Sequence, residues 1–114
     1  MSLMLQDTPE VLVLLGGKLR LDIWRHMILV KNKWVSLPAA EVALLRRLGG
    51  SPRPITKHHL RAAYASFRHK KPETVSDGLV ASQLNRLGNS LEGAGSDIVI
   101  KSGNPKGQVV YWLE

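Results

Sequence analysis

The chain has no cysteine. Disulfides, thiolate nucleophiles, zinc fingers of the usual ligand sets and iron–sulfur centres are therefore excluded together, and a cytosolic address becomes the simpler expectation. It also lacks any apolar run near the ~20 residues that a membrane helix needs. Its first residues do not read as a secretory signal. Acids are scarce, nine Asp and Glu against sixteen Lys and Arg, for a net charge of +7. The shortage is regional. Residues 17–72 hold thirteen bases but only Asp22 and Glu41, while residues 73–114 hold three bases, Arg86, Lys101 and Lys106, and five acids. Catalytic patterns are missing as well. There is no nucleophile turn with a Ser/His/Asp set, no phosphate loop ending in Gly-Lys-Ser/Thr and no close pair of carboxylates. Nothing points to an enzyme, a metal or another cofactor. Adjacent His58 and His59 would diverge by about 100° on a helix and could not easily share an ion.

What remains is 114 residues, 44% hydrophobic, which is one domain able to bury a core without staples. Met1-Ser2-Leu3 before a second methionine, Met4, reads as a cloning scar, and residues 1–9 are set apart as a tag or disordered lead. Glu114 is open to the same reading, in which case residues 10–114 are a domain of a longer protein. A strongly basic small domain suggests a polyanionic partner, with nucleic acid first.

Hydropathy patterning divides the chain in three. Residues 11–36 read as a four-stranded antiparallel meander. Val11–Leu15 is an apolar run, either buried on both faces or the first strand of a sheet. Leu19, Leu21 and Ile23 alternate with Arg20, Asp22 and Trp24. Met27 to Val30 and Trp34-Val35 follow, with a tight turn at Asn32-Lys33. The period then becomes helical. A first helix over about 38–48 carries Val42, Leu44, Leu45 and Leu48, and Pro38 suits its first turn. Ser51-Pro52-Arg53-Pro54 is a rigid link. Thr56 caps a second helix to Phe67 with Leu60, Ala63, Tyr64 and Phe67 inward. Arg68-His69-Lys70-Lys71 is a basic loop. A capping box, Thr74 with Asp77, starts a third helix over about 75–91, where Val80, Leu84, Leu87 and Leu91 form one apolar stripe. Strands at Ile98–Ile100 and Val109–Trp112 make a hairpin over 97–113. Trp34 and Trp112 are expected to pack in the sheets. Trp24 shares a parity with polar residues and, if exposed, is a candidate contact for a second protomer or another domain.

Sheet, three helices and hairpin in that order make an α+β winged helix-turn-helix with an N-terminal four-stranded antiparallel sheet. Val35-Ser36-Leu37-Pro38-Ala39-Ala40-Glu41-Val42-Ala43-Leu44-Leu45, Ile55-Thr56-Lys57-His58-His59-Leu60, the third-helix stripe and the hairpin ending Tyr111-Trp112-Leu113 together resemble the DNA-binding effector domain of OmpR/PhoB-type response regulators. The resemblance covers about residues 10–113. It implies a transcription regulator of a two-component system, controlled by a phosphorylated receiver domain. The third helix would lie in the major groove, with Ser82, Gln83, Asn85, Arg86 and Asn89 toward base edges. Lys57, His58 and Arg61 on the second helix, and Lys101, Ser102 and Lys106 on the wing, would meet phosphate. The resemblance further implies double-stranded DNA as partner, dimers on tandem half-sites and contact of the loop Arg68, His69, Lys70 and Lys71 with RNA polymerase or with phosphate.

The departures from the family pattern are specific. Arg86 is the one basic residue of a third helix that is usually Arg-rich, with Gly88 and Asn89 where further bases are common. Pro38 replaces a capping Thr, leaving Ser36 as the alternative cap, and His59 replaces the acid of the second box. Affinity would then rest mainly on phosphate. The other reading is a winged-helix module that has lost specific DNA binding and recruits a protein.

Overall fold

A computed structural model describes residues 11–51 and 53–114, so the expectations for residues 1–9 and for Pro52 lie outside the described residues. Four strands, β1 (Val11–Leu14), β2 (Leu19–Asp22), β3 (Met27–Val30) and β4 (Lys33–Ser36), come first. Then follow α1 (Ala39–Gly49), β5 (Ile55–Thr56), α2 (Lys57–Phe67), α3 (Asp77–Gly93), β6 (Ile100–Gly103) and β7 (Val110–Leu113). The first sheet runs β1-β2-β3-β4, antiparallel throughout, and the second runs β5-β7-β6. This is the expected α+β winged helix-turn-helix.

The first sheet follows period 2 because one face meets the helices. Leu19, Leu21, Ile28 and Val30 are buried there, while Arg20 is exposed. Val11–Leu14 is not buried on both faces. It is an edge strand, so its outer residues have no covering layer and Val13 is 57% exposed. Trp34 is 44% exposed rather than packed, since it pairs with Leu29 on that same outer face. Asp22 departs from its polar parity. It is buried, and its Oδ1 accepts from the backbone N–H groups of Trp24 and Arg25 at 3.0 Å each. This Asx turn ends β2 and puts Trp24 in a loop rather than on a strand, 69% exposed. The β3–β4 turn is Lys31-Asn32, one residue earlier than the spacing predicts. Val30 pairs with Lys33, and Lys31 and Asn32 both have positive φ, the signature of a type I′ hairpin.

Val42, Leu44, Leu45 and Leu48 of α1, Leu60 and Tyr64 of α2 and Val80, Leu84, Leu87 and Leu91 of α3 are all buried in one core with the inner sheet face. Each such side chain contributes roughly 1.5–3 kcal/mol of transfer free energy before entropy is counted. Pro38 is the N-cap of α1 rather than its first residue, and no side chain caps there. Ser36 ends β4 instead. Thr56 caps α2 as expected, accepting from the His59 N–H at 3.2 Å, and His59 Nδ1 lies 2.8 Å from the same hydroxyl. The histidine thus returns to the capping residue in place of the missing acid. The short strand β5 escaped the sequence reading. Ile55 and Thr56 pair with Tyr111 and Val110, so the start of α2 is stitched to the wing.

The Thr74–Asp77 box does not form. Pro72–Thr74 is a 3₁₀ turn in which the Thr74 hydroxyl donates to the Lys71 carbonyl at 2.7 Å. Ser76 is the cap instead, accepting from the Leu79 N–H at 3.1 Å, so α3 begins at Asp77. At its other end Gly95 has φ +81°, with Gly95 N–H on the Glu92 carbonyl and Ser96 N–H on that of Leu91, both at 3.0 Å. That is a Schellman motif. Gly88 is the opposite case, a helical glycine whose added Cβ would meet nothing within 4 Å. Gly88→Ala is therefore expected to raise stability by up to about 1 kcal/mol and Gly95→Ala to lower it by about 1–2 kcal/mol, measured by urea denaturation. Equal signs for the two would contradict these assignments.

The wing pairs slightly later than its sequence suggests. β6 and β7 are in register from Ile100 opposite Leu113 to Gly103 opposite Val110, and Val99 and Glu114 exchange two further backbone bonds at 2.9 Å. Trp112 is half-buried as expected, with its ring against Gly103, where a Cβ would come within 3.3 Å.

Candidate nucleic-acid interface

The stripe that seats α3 fixes which side faces outward. Val80, Leu84, Leu87 and Leu91 lie within about 40° of one line at ~100° per residue. Ser82 and Asn89 then lie nearly opposite, with Asn85 and Arg86 on either side, and all four are exposed. Gln83 is a correction. It stands three residues after Val80 and four before Leu87, so it falls on the inward flank and is only 8% exposed. It cannot reach a base edge without moving the helix.

Between α3 and the wing runs a groove of about 480 Å³. Asn85, Gly88, Asn89 and Glu92 form its helix wall, and Ser102 and Tyr111 line the wing side. Two expected base-reading residues and one expected phosphate-binding residue therefore share a cleft. Lys101 does not join them. It is opposite Trp112 while Ser102 is opposite Tyr111, and adjacent strand residues point to opposite faces. Lys106 is exposed at the hairpin tip with φ +53°. Glu92 was not singled out from sequence. Its carboxylate places negative charge at the C-terminal end of the cleft, so a phosphate strand is disfavoured there.

Lys57 and Arg61 are half-buried and turn toward the start of α3. Lys57 Nζ is 3.9 Å from Asp77 Oδ2, and Arg61 Nη2 is 3.4 Å from Asp77 Oδ1. The buried Arg61 Nε has no hydrogen-bond partner among the described residues. One carboxylate, at a helix N-terminus that itself favours an anion, thus holds two of the expected phosphate contacts. Asp77 could be read from sequence as a helix-start acid, but its partners lie on another element. Asp77 is more than half exposed, and pairs open to solvent in this way contribute about 0–1 kcal/mol. Asp77→Asn is therefore expected to cost little stability while freeing two cations. Duplex affinity should rise severalfold at low salt, with a steeper salt dependence in fluorescence anisotropy. Unchanged affinity and slope would mean that neither cation meets phosphate.

His58 is exposed at the α2 start, its ring edge-on to that of His59 at 5.9 Å. No group of three or more potential metal-binding side chains occurs among the described residues. The basic loop is shaped by a second Schellman turn. His69 has φ +55°, with its N–H on the Ser66 carbonyl and Lys70 N–H on that of Ala65. His69, Lys70 and Lys71 are exposed. Arg68 is exposed too, but its guanidinium lies against α2, 5.7 Å from the Tyr64 ring and 5.5 Å from the Phe67 ring, with Nε donating to the Tyr64 hydroxyl at 3.3 Å.

Glu41, in the first turn of α1, is 5% exposed and its Oε1 lacks a hydrogen-bond partner among the described residues. Among the described residues, no helix is long and apolar enough to cross a membrane. In comparison with known proteins, no family model matches the chain and no curated protein matches it significantly.

Proposed function

We propose that this chain is a double-stranded DNA-binding module of a cytoplasmic transcription regulator, built like the effector domain of an OmpR/PhoB-type response regulator. One observation carries the reading. The outward face of α3 offers Ser82, Asn85, Arg86 and Asn89, beside a wing cleft, on a chain of net charge +7. Asn can bond adenine bidentately and Arg can do so with guanine. Lys106 at the wing tip and His58 at the α2 start supply phosphate contacts on its flanks, while Lys101 would meet phosphate from the wing's other face. The family resemblance adds tandem half-sites, a receiver domain as the source of control and contact of the 68–71 loop with RNA polymerase.

Titrating a labelled duplex at several salt concentrations tests the reading. Affinity is expected to fall steeply with salt, because each neutralised phosphate releases counterions. Absence of binding at about 50 mM salt would overturn it. Asp77 favours a second reading, since it occupies both cations that point along α2 toward α3. On that reading the module binds a protein, and a partner that survives nuclease treatment would identify it.

A further inference from the structure

A second groove, of about 430 Å³, lies between α1 and α2 and shares no lining residue with the α3–wing cleft. It is an open surface groove rather than an enclosed cavity. Ala43 and Ala63 line it with almost no side-chain bulk, and half-buried Phe67 adds an apolar wall. Arg46 and Arg47 stand exposed along the α1 side. Among the described residues neither has an acid within ion-pair distance, the two ion pairs being those to Asp77. Arg68 does not line the groove; its guanidinium lies against the ring of Phe67, which does. Among the described residues no carboxylate lines the groove.

We propose that this groove docks an acidic amphipathic helix of a protein partner. The apolar floor and the basic rim call for two properties at once. An amphipathic helix supplies both, with apolar anchors at i, i+3 or i+4 and i+7 against small residues and carboxylates along its flank. Planar guanidinium groups match carboxylates bidentately, and Arg46 and Arg47 present two of them, exposed, along one wall of the groove. A duplex would use the arginines but gain nothing from Ala43, Ala63 and Phe67. The last-turn position of Arg46 and Arg47 also suits the α1 dipole, yet that role does not need the groove. The proposal does not depend on DNA binding at α3.

The test is a two-dimensional amide NMR titration of the whole chain with a synthetic peptide of roughly fifteen residues, leucines at helical spacing and glutamates elsewhere. Shifts are expected at Ala43, Arg46, Arg47, Ala63, Ser66 and Phe67. Affinity should fall at least about tenfold in R46E/R47E and by a smaller factor in R46Q/R47Q, and stay unchanged in R20E, which alters an exposed arginine of the sheet. Thermal melts of each variant separate loss of binding from loss of fold. The proposal is overturned by no binding at about 1 mM peptide, by shifts elsewhere or by undiminished affinity in a folded R46E/R47E protein. It is equally overturned if a DNA duplex, titrated in place of the peptide, shifts these same amides, which would make the groove a nucleic-acid surface.

Discussion

Leu87→Ala is expected to lower the free energy of unfolding by about 2–5 kcal/mol. Leu87 is fully buried at the centre of the stripe that ties α3 to α1 and α2. Its removal loses the transfer free energy of the side chain and leaves a cavity, because Val80, Leu84 and Leu91 are held by their own contacts and cannot all close over it. Domains of this size are stable by about 5–15 kcal/mol in total, so one methyl-bearing branch accounts for a large share. In urea denaturation the midpoint should fall with little change in slope, and the melting temperature should drop by upward of about 10 °C. A loss under about 1 kcal/mol would mean that α3 is not seated by this stripe.

The neighbouring residue should behave in the reverse way. Arg86 is exposed and makes no ion pair among the described residues, so Arg86→Ala is expected to change stability by less than about 0.5 kcal/mol. Its effect should fall on binding. As the single cation on the outward face of α3, it is the residue placed to read guanine bidentately, an interaction that discriminates by about 1–3 kcal/mol. Affinity for a duplex selected from a random library should therefore drop about 5- to 150-fold, with a much smaller loss for an unrelated duplex. Competition between the two duplexes, followed by fluorescence anisotropy, measures this ratio. Equal losses on both would assign Arg86 to phosphate rather than to a base. Loss of stability at position 87 and loss of discrimination at position 86 would separate the two sides of one helix.

Much of this arrangement could be read in advance where the cause is local. Period 2 at Leu19 and Leu21, the helical stripe of α3, the Thr56 cap and the glycine-bearing wing all depend on residues within a few positions of each other. The misses have a common origin in longer-range geometry. Gln83 was placed outward by its amide, whereas its angle relative to Val80 and Leu87 turns it inward. The Val11–Leu14 run is as apolar as a central strand, but sheet order leaves it at an edge. Ile55 and Thr56 gained a strand because β7 passes beside them, which nothing in their own neighbourhood announces. Lys57 and Arg61 looked like free cations until α3 brought Asp77 alongside. The start of α3 shifted from Val75 to Asp77 because Ser76 competes with Thr74 for the capping role and Pro72 draws Thr74 into a separate turn.

Mapping a short duplex onto the protein by its amide NMR shifts at low salt tests the central claim most directly. The account predicts that the perturbed amides cluster at Ser82, Asn85, Arg86 and Asn89, with Lys101, Ser102 and Lys106 of the wing, and fade as salt is raised. Shifts confined to the outer face of the first sheet, or none at all at duplex concentrations near 1 mM, would contradict it.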